Sequence, residues 1–401
     1  MRERGKIIVV AFSTVLTLVL LIGALLGQVR DSQEPYQPLA VLSEVLSRIQ
    51  TDYVEDPNFS KVTEGALHGL LESLDSHSSY LTPEEYREYQ KGPQGEASIG
   101  AVVSKKYGSA RIVALLSGGP AERAGLEPFD SIELIDGDST RDMSYAEVLS
   151  RLEGLPGSTV TLSVVREQAQ EPLPIPLQRE AARTSQIEAR AVESGIGYLR
   201  VAAFPKGEAD RIAGKIRELR QHGATKFVVD LRDNAMGEMQ EGVATANLFL
   251  RRGLIAYLEG QQYPRQSFTA EADKAISDEP LVVLVDESTG GPAEIVAAAI
   301  QDNHRGEVVG VPTFGIGSIQ KVIALDDGSA LILSIAKYFS PTGKEIQDEG
   351  VTPDVVVRQE REFVPLQDRQ QPPESAQPKP DSQLQRAIEL LKAEDRAPQA
   401  A

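Results

Sequence analysis

"PLVVLVDESTGGPAEIVAAAIQD", residues 280–302, decides how this chain is read. An unbroken apolar run ends in an acid, a glycine-rich turn follows, and a helix-forming stretch begins at a proline. A short apolar run without alternation suits a strand buried on both faces, so the whole reads as a strand, a turn and a helix. Gly291 suits the helix cap and Pro292 the first turn, where a missing N–H costs nothing. "AEIVAAAIQ" is apolar nearly all round, so the helix is expected to be buried against a sheet. Such a sharp strand-to-helix turn can hold a nucleophile within reach of a substrate. Here the first helical turn carries Ala293, which has nothing to attack with.

The same alternation recurs around it. "GIGYLRV", "KFVVDLR" and "PLVVLVD" read as buried strands interleaved with helical stretches 208–221 and 239–252, which makes residues 180–357 an α/β core. Upstream, "IGAVVSKKYGSARIVALL", "DSIELIDG" and "STVTLSVVRE" read as short strands, with a helix in "YAEVLSRLE". Residues 95–168 are therefore expected to form a small β-rich domain. Residues 38–92 hold two amphipathic helices, broken near residues 56–58, whose apolar stripes need a partner surface. Residues 358–401 are rich in proline, glutamine and charge and are expected to be mobile apart from a short amphipathic helix in "SQLQRAIELLKAE".

Composition narrows the function. The chain has 401 residues, 41% hydrophobic and 25% charged, enough for more than one packed core. A net charge of -18 and the lack of a dense basic patch argue against a nucleic-acid partner. There are no cysteines, which excludes disulfides and thiol chemistry. His68, His77, His222 and His304 are scattered, with no metal-ligand spacing, so neither a metal site nor a cofactor is expected. Residues 7–27 carry no charge, and 21 residues at about 1.5 Å each match the hydrocarbon core of a bilayer. Arg2, Arg4 and Lys6 precede this run, so the N-terminus is expected in the cytoplasm and the bulk of the chain in the periplasm or cell exterior. Residues 1–30 thus read as a cytoplasmic stub and a single-pass signal anchor in the inner membrane. A cleaved signal peptide, giving a secreted protein, is the alternative.

"EASIGAVV", followed by "LSGGPAERAGLEPFDSIELIDG", resembles a PDZ domain, with Phe129 in place of the usual glycine and Ala97 in place of a phenylalanine. The resemblance implies that the backbone around Ser98, Ile99, Gly100, Ala101 and Val102 holds a peptide's terminal carboxylate while the peptide adds a strand to the sheet. With that domain placed, "LDSHSSYLTPEEY", "FVVDLRDNAMG", "AEIVAAAIQDNHRGEVVGVPTFGIGSIQ" and "GSALILSIAKYFSPTGKEIQDEGVTPDVVV" resemble the carboxyl-terminal processing, or tail-specific, serine proteases over nearly all of residues 38–395. The implied fold is a ClpP/crotonase-like α/β protease core with an inserted PDZ domain and helices at both ends, after one N-terminal transmembrane helix.

The resemblance also implies a serine nucleophile, a lysine base and a glutamine that orients the lysine. The serine position is Ala293 and the lysine position is Ile316, while Gln320 is retained. In "DLRDNAMGEM", Ala235 and Met236 replace a proline and a glycine before Gly237, altering a turn that helps line the oxyanion site. Ser288 is the fallback nucleophile, and Ser318 another hydroxyl near the cleft, but Lys321 and His304 are poorly placed as bases. The chain is therefore expected to be an inactive extracytoplasmic homologue that binds C-terminal tails of envelope proteins as a regulator or scaffold. A homo-oligomer is expected, with an active paralogue or a helical-repeat adaptor as further partner. The alternatives are an active serine-type carboxyl-terminal processing endopeptidase acting on envelope proteins, and a structural envelope protein with an occluded PDZ groove.

Overall fold

The computed structural model describes residues 36–92, 95–166, 172–181, 187–359 and 380–394. The anchor expected over residues 1–30 lies outside them, as does residues 360–379 of the expected tail. No helix among the described residues is long and apolar enough to cross a membrane. The chain divides into two compact units, residues 1–66 and 67–401. In the first, helix Tyr36–Asp52 leaves Leu39, Val41 and Val45 exposed.

In the second unit, the strands of the core are buried on both faces, which explains their near-continuous apolar runs. Five of them, Ile196–Arg200, Lys226–Asp230, Leu281–Val285, Glu307–Gly310 and Val355–Val356, lie parallel in that order, and Glu188–Glu193 closes one edge antiparallel. Their residues alternate between two cores. Phe227, Val229, Val283, Val285 and Val308 pack into a large cluster with helices Glu208–Gln221, Met239–Phe249 and Pro292–Asp302. The far side of that cluster is an antiparallel sheet in which Ala330–Phe339 pairs with Ser79–Leu81, Leu254–Glu259 and Ser318–Ala324. Val228, Val282, Leu284 and Val309 point the other way, onto Ala387 and Leu391 of the C-terminal helix Ser382–Glu394.

One guanidinium pins that helix to the sheet. Arg232, just beyond strand Lys226–Asp230, donates to both Asp230 and Asp381, at 2.5 and 2.7 Å, and to Gln383 at 3.0 Å. Asp381 in turn accepts from Leu384 N–H at 2.9 Å, capping the helix.

The small β domain has strand order Ala101–Tyr107, Ser109–Leu115, Ser131–Ile135, Thr159–Val165 and Leu173–Gln178, all antiparallel. The sheet therefore runs past the expected boundary at residue 168. Pro174 and Pro176 hide this strand in the sequence, yet both face outward on an edge, where a missing N–H breaks no ladder, while Ile175 and Leu177 point into the core. Glu180–Ala181 also belongs to this domain: with Ala97–Ser98 and Glu153–Gly154 it forms a second, three-stranded sheet.

The docked C-terminal helix makes a direct stability claim. Leu391→Ala is expected to cost about 2–4 kcal/mol in denaturant unfolding, because Leu391 is fully buried, whereas Glu389→Ala on the exposed face should stay within about 0.5 kcal/mol.

Candidate active site

Three loops meet at the start of helix Pro292–Asp302, and one side chain organises them. Glu294, in the first turn, is wholly buried. One of its carboxylate oxygens accepts from Gly291 N–H at 2.9 Å and Ile316 N–H at 2.8 Å. The other accepts from Gly315 N–H at 2.7 Å and from the Thr313 hydroxyl. The strand-to-helix turn and the loop 313–316 are thus fastened to one group. Burial pushes the Glu294 carboxyl up to about 7, against the pull of its four donors.

The third loop, residues 231–237, is tied in through the backbone. Gly290 N–H donates to Asn234 O at 2.8 Å, the Thr289 hydroxyl donates to Leu231 O at 2.9 Å, and Phe314 N–H donates to Thr289 O at 2.9 Å. A Cβ on Gly290 would lie 2.9 Å from Ala235 Cβ and 3.0 Å from Ile316 Cδ1, so only glycine lets the loops approach this closely. Gly237 is held as tightly: at φ +121 a Cβ would meet Phe204 O at 2.2 Å.

The residues singled out in the sequence fall as follows. Ala293 is completely buried in the large core cluster, and its N–H donates to Gly290 O at 3.3 Å. Ile316 and Ala235 join Phe314 in an apolar cluster with Val102, Val113 and Ala114 of the small domain. Met236 uses its carbonyl to accept from Phe204 N–H at 2.8 Å. Gln320 lies on strand Ser318–Ala324, where its amide donates to Ser318 Oγ at 2.9 Å and Ser334 Oγ at 3.3 Å. Ser288 has no exposed surface, and its Oγ has no hydrogen-bond partner among the described residues. The structure therefore brings Ala235, Gly290, Ala293 and Ile316 together. His304 sits past the far end of the helix, its N–H donating to Gln301 O at 2.9 Å.

In the small domain, Ile99 is part of the core, and its carbonyl accepts from Ala121 N–H at 2.9 Å. Gly100 N–H donates to Ser98 Oγ at 3.2 Å, and Gly100 O accepts from Leu116 N–H at 2.8 Å. Ala101 and Val102 open the following strand, Val102 facing the Ile316 cluster. Two side chains tie this strand to its neighbours: the Tyr145 hydroxyl donates to Val103 O at 3.3 Å, and Lys105, on the strand, donates to Met143 O and, at 3.0 Å, to Glu72. Burial pushes the Tyr145 phenol up to about 12, which keeps it a donor at neutral pH. Phe129 adopts φ +74, the left-handed geometry that a glycine takes freely, at a cost of about 1–2 kcal/mol.

Relatives fit this arrangement. Residues 195–357 match peptidase family S41. The chain is 32% identical over 335 residues to the carboxy-terminal-processing protease of Bartonella bacilliformis, covering 82% of this chain and 77% of that protein. The chain belongs to peptidase family S41. The carboxyl-terminal-processing protease of Synechocystis sp. is 34% identical over 320 residues, 78% of this chain and 75% of the relative. A solved photosystem II D1 C-terminal processing protease aligns at TM-score 0.64 and 26% identity, over 78% of this chain and 91% of that one. The S41 fold with its mixed α/β sheets thus accounts for the core, and the homologues are carboxyl-terminal processing serine proteases.

Sequence reasoning passed over Glu294. Its signal was present: a glutamate three residues after the Gly291 cap is capping-box spacing. The Tyr145 and Lys105 contacts had no such signal, because their partners are set only by tertiary packing.

Glu294 gives a pH prediction with a defined sign. Its folded value lies above its unfolded one, so its contribution to stability is present in full below about 4.5 and is lost as pH rises through about 7. The unfolding midpoint should fall across that window. Glu294→Gln, which cannot ionise, should flatten the slope and cost about 1–3 kcal/mol at the acid end through its mismatched donors. Parallel slopes for the two proteins would contradict the assignment.

Proposed function

We propose that this S41 chain binds protein C-termini without cutting them, as a membrane-anchored regulatory or scaffold protein facing the periplasm or cell exterior. The observation that carries the reading is the pair Ala293 and Ile316. The family resemblance puts a serine and a lysine at these positions, and here a methyl group and a branched alkyl group take their place in apolar surroundings. Neither can attack a carbonyl or accept a proton. In serine hydrolases, loss of the nucleophile costs roughly a million-fold in turnover. Ala235 and Met236, where the family has proline and glycine, add a third change at the turn expected to receive the oxyanion. Ser288 is a poor substitute, being buried with no bonded base among the described residues.

The binding half of the proposal rests on the PDZ-like small domain and its loop Ser98–Val102. Residues 1–30 would hold the chain to the inner membrane. A homo-oligomer, an active paralogue or a helical-repeat adaptor would supply the setting in which captured tails are scaffolded or handed on.

Two experiments test this. Tail peptides with a free C-terminus should bind at least about tenfold more tightly than the same peptides amidated, a difference of about 1.4 kcal/mol. Equal affinity would reject carboxylate capture. The paired substitution Ala293→Ser with Ile316→Lys should bring slow cleavage of an unfolded substrate where the parent gives none. Cleavage by the parent at the same rate would reject the loss of chemistry.

A second reading has its own observation. Gly100 N–H is already bonded to Ser98 Oγ, and Tyr145 occupies Val103 O, so the groove beside strand Ala101–Tyr107 is partly filled by the chain itself. On that reading the protein is structural and no tail peptide binds until Tyr145→Phe frees the carbonyl.

A further inference from the structure

A cleft of about 600 Å³ lies between helices Pro83–Lys91 and Tyr145–Leu152, lined by other residues than the elbow and the loop Ser98–Val102. Its walls combine two properties. Tyr89 and Leu155, both lining it, are large apolar side chains left 43% and 57% exposed. Glu84, Glu88 and Glu153 line it as well, and among the described residues neither Glu84 nor Glu153 has a hydrogen-bonded or ion-paired partner for its carboxylate. Burial pushes the Glu153 carboxyl above its ordinary range, as expected for an acid without a cation beside it.

The cations at the cleft are already committed. Arg151 pairs with Asp138 at 2.6 Å and Glu147 at 2.8 Å. Arg179 donates to Arg151 O at 2.6 Å and Ser158 Oγ at 2.9 Å. Arg179 is also nine-tenths buried, so its charge is turned into the wall and does not offset the carboxylates at the cleft surface. The strand Glu153–Gly154, which supplies part of that wall, is the outer strand of its three-stranded sheet, its Glu153 N–H donating to Leu149 O.

We propose that this cleft is a docking site for an extended basic segment of a partner protein. An apolar residue of the segment packs on Tyr89 and Leu155, and a neighbouring Lys or Arg meets the carboxylates of Glu84 and Glu153. Charge complementarity selects this occupant: the two uncommitted carboxylates of Glu84 and Glu153, beside Glu88 in its exposed pair with Lys91, repel acidic peptides and nucleic acid alike, and the chain's net charge of -18 draws basic segments toward it. No free terminus is required, which separates the site from capture of a tail.

The test uses the purified full chain and a fluorescein-labelled, C-terminally amidated peptide of alternating Leu and Lys, read by fluorescence anisotropy. Binding is expected to weaken with salt, to fall at least about tenfold in Glu84→Lys/Glu88→Lys, and to weaken in Leu155→Ser. The charge-matched control Glu259→Lys/Glu389→Lys, at exposed positions elsewhere, should retain binding. The proposal is overturned if the peptide does not bind, if a Leu and Glu peptide binds equally, or if the control loses as much affinity as the cleft variant.

Discussion

The carboxylate of Glu294 is the constraint on which the site depends. Four donors from two segments converge on it in a place with no solvent, so the elbow and the loop 313–316 cannot separate without stranding a buried charge or four unpaired donors. Its position in the first turn of a helix adds the favourable end of the helix dipole. Three of the four donors are backbone N–H groups. The geometry therefore places no demand on the side chains at 293 or 316, whose backbone the framework uses. This is a physical route by which an S41 fold can keep its elbow while chemistry at the elbow is lost.

The side chain at 316 has a packing role. Ile316 lies against Gly290 and Ala235 on the core side and meets Val102, Val113 and Ala114 of the small domain. Lys106 strengthens the same junction through Asp348, at 3.5 Å, and lies over the Phe314 ring. An ammonium group at 316 would face this apolar cluster, where only its neutral form is tolerated. An isoleucine fits it without penalty. The relatives with processing-protease names share the S41 family; the proposed departure concerns the few side chains that would carry the reaction.

The parallel strands were legible because burial on both faces writes an apolar run, and the helix after Gly291 because proline and glycine mark its start. Strand Leu173–Gln178 was not, since Pro174 and Pro176 look like strand breakers until the edge position is known. The C-terminal helix could be read as amphipathic, but not the sheet face that it covers, nor Arg232 as its pin, because those depend on contacts across some 150 residues. Ala293 and Ile316 stood out by type, and their convergence on Gly290 needed the structure. Gln320 was read as a retained family position with no lysine left to orient, and the partners of its amide, two serine hydroxyls, follow from the pairing of strand Ser318–Ala324 with Ala330–Phe339.

The central claim is that this elbow holds no working nucleophile. Its most direct test is mass spectrometry of an unfolded protein with an apolar C-terminus after prolonged incubation with the purified full chain, run beside Ser288→Ala. The expected result is no fragment beyond those formed in buffer, with or without the substitution. Fragments that appear with the parent chain and vanish with Ser288→Ala would contradict it.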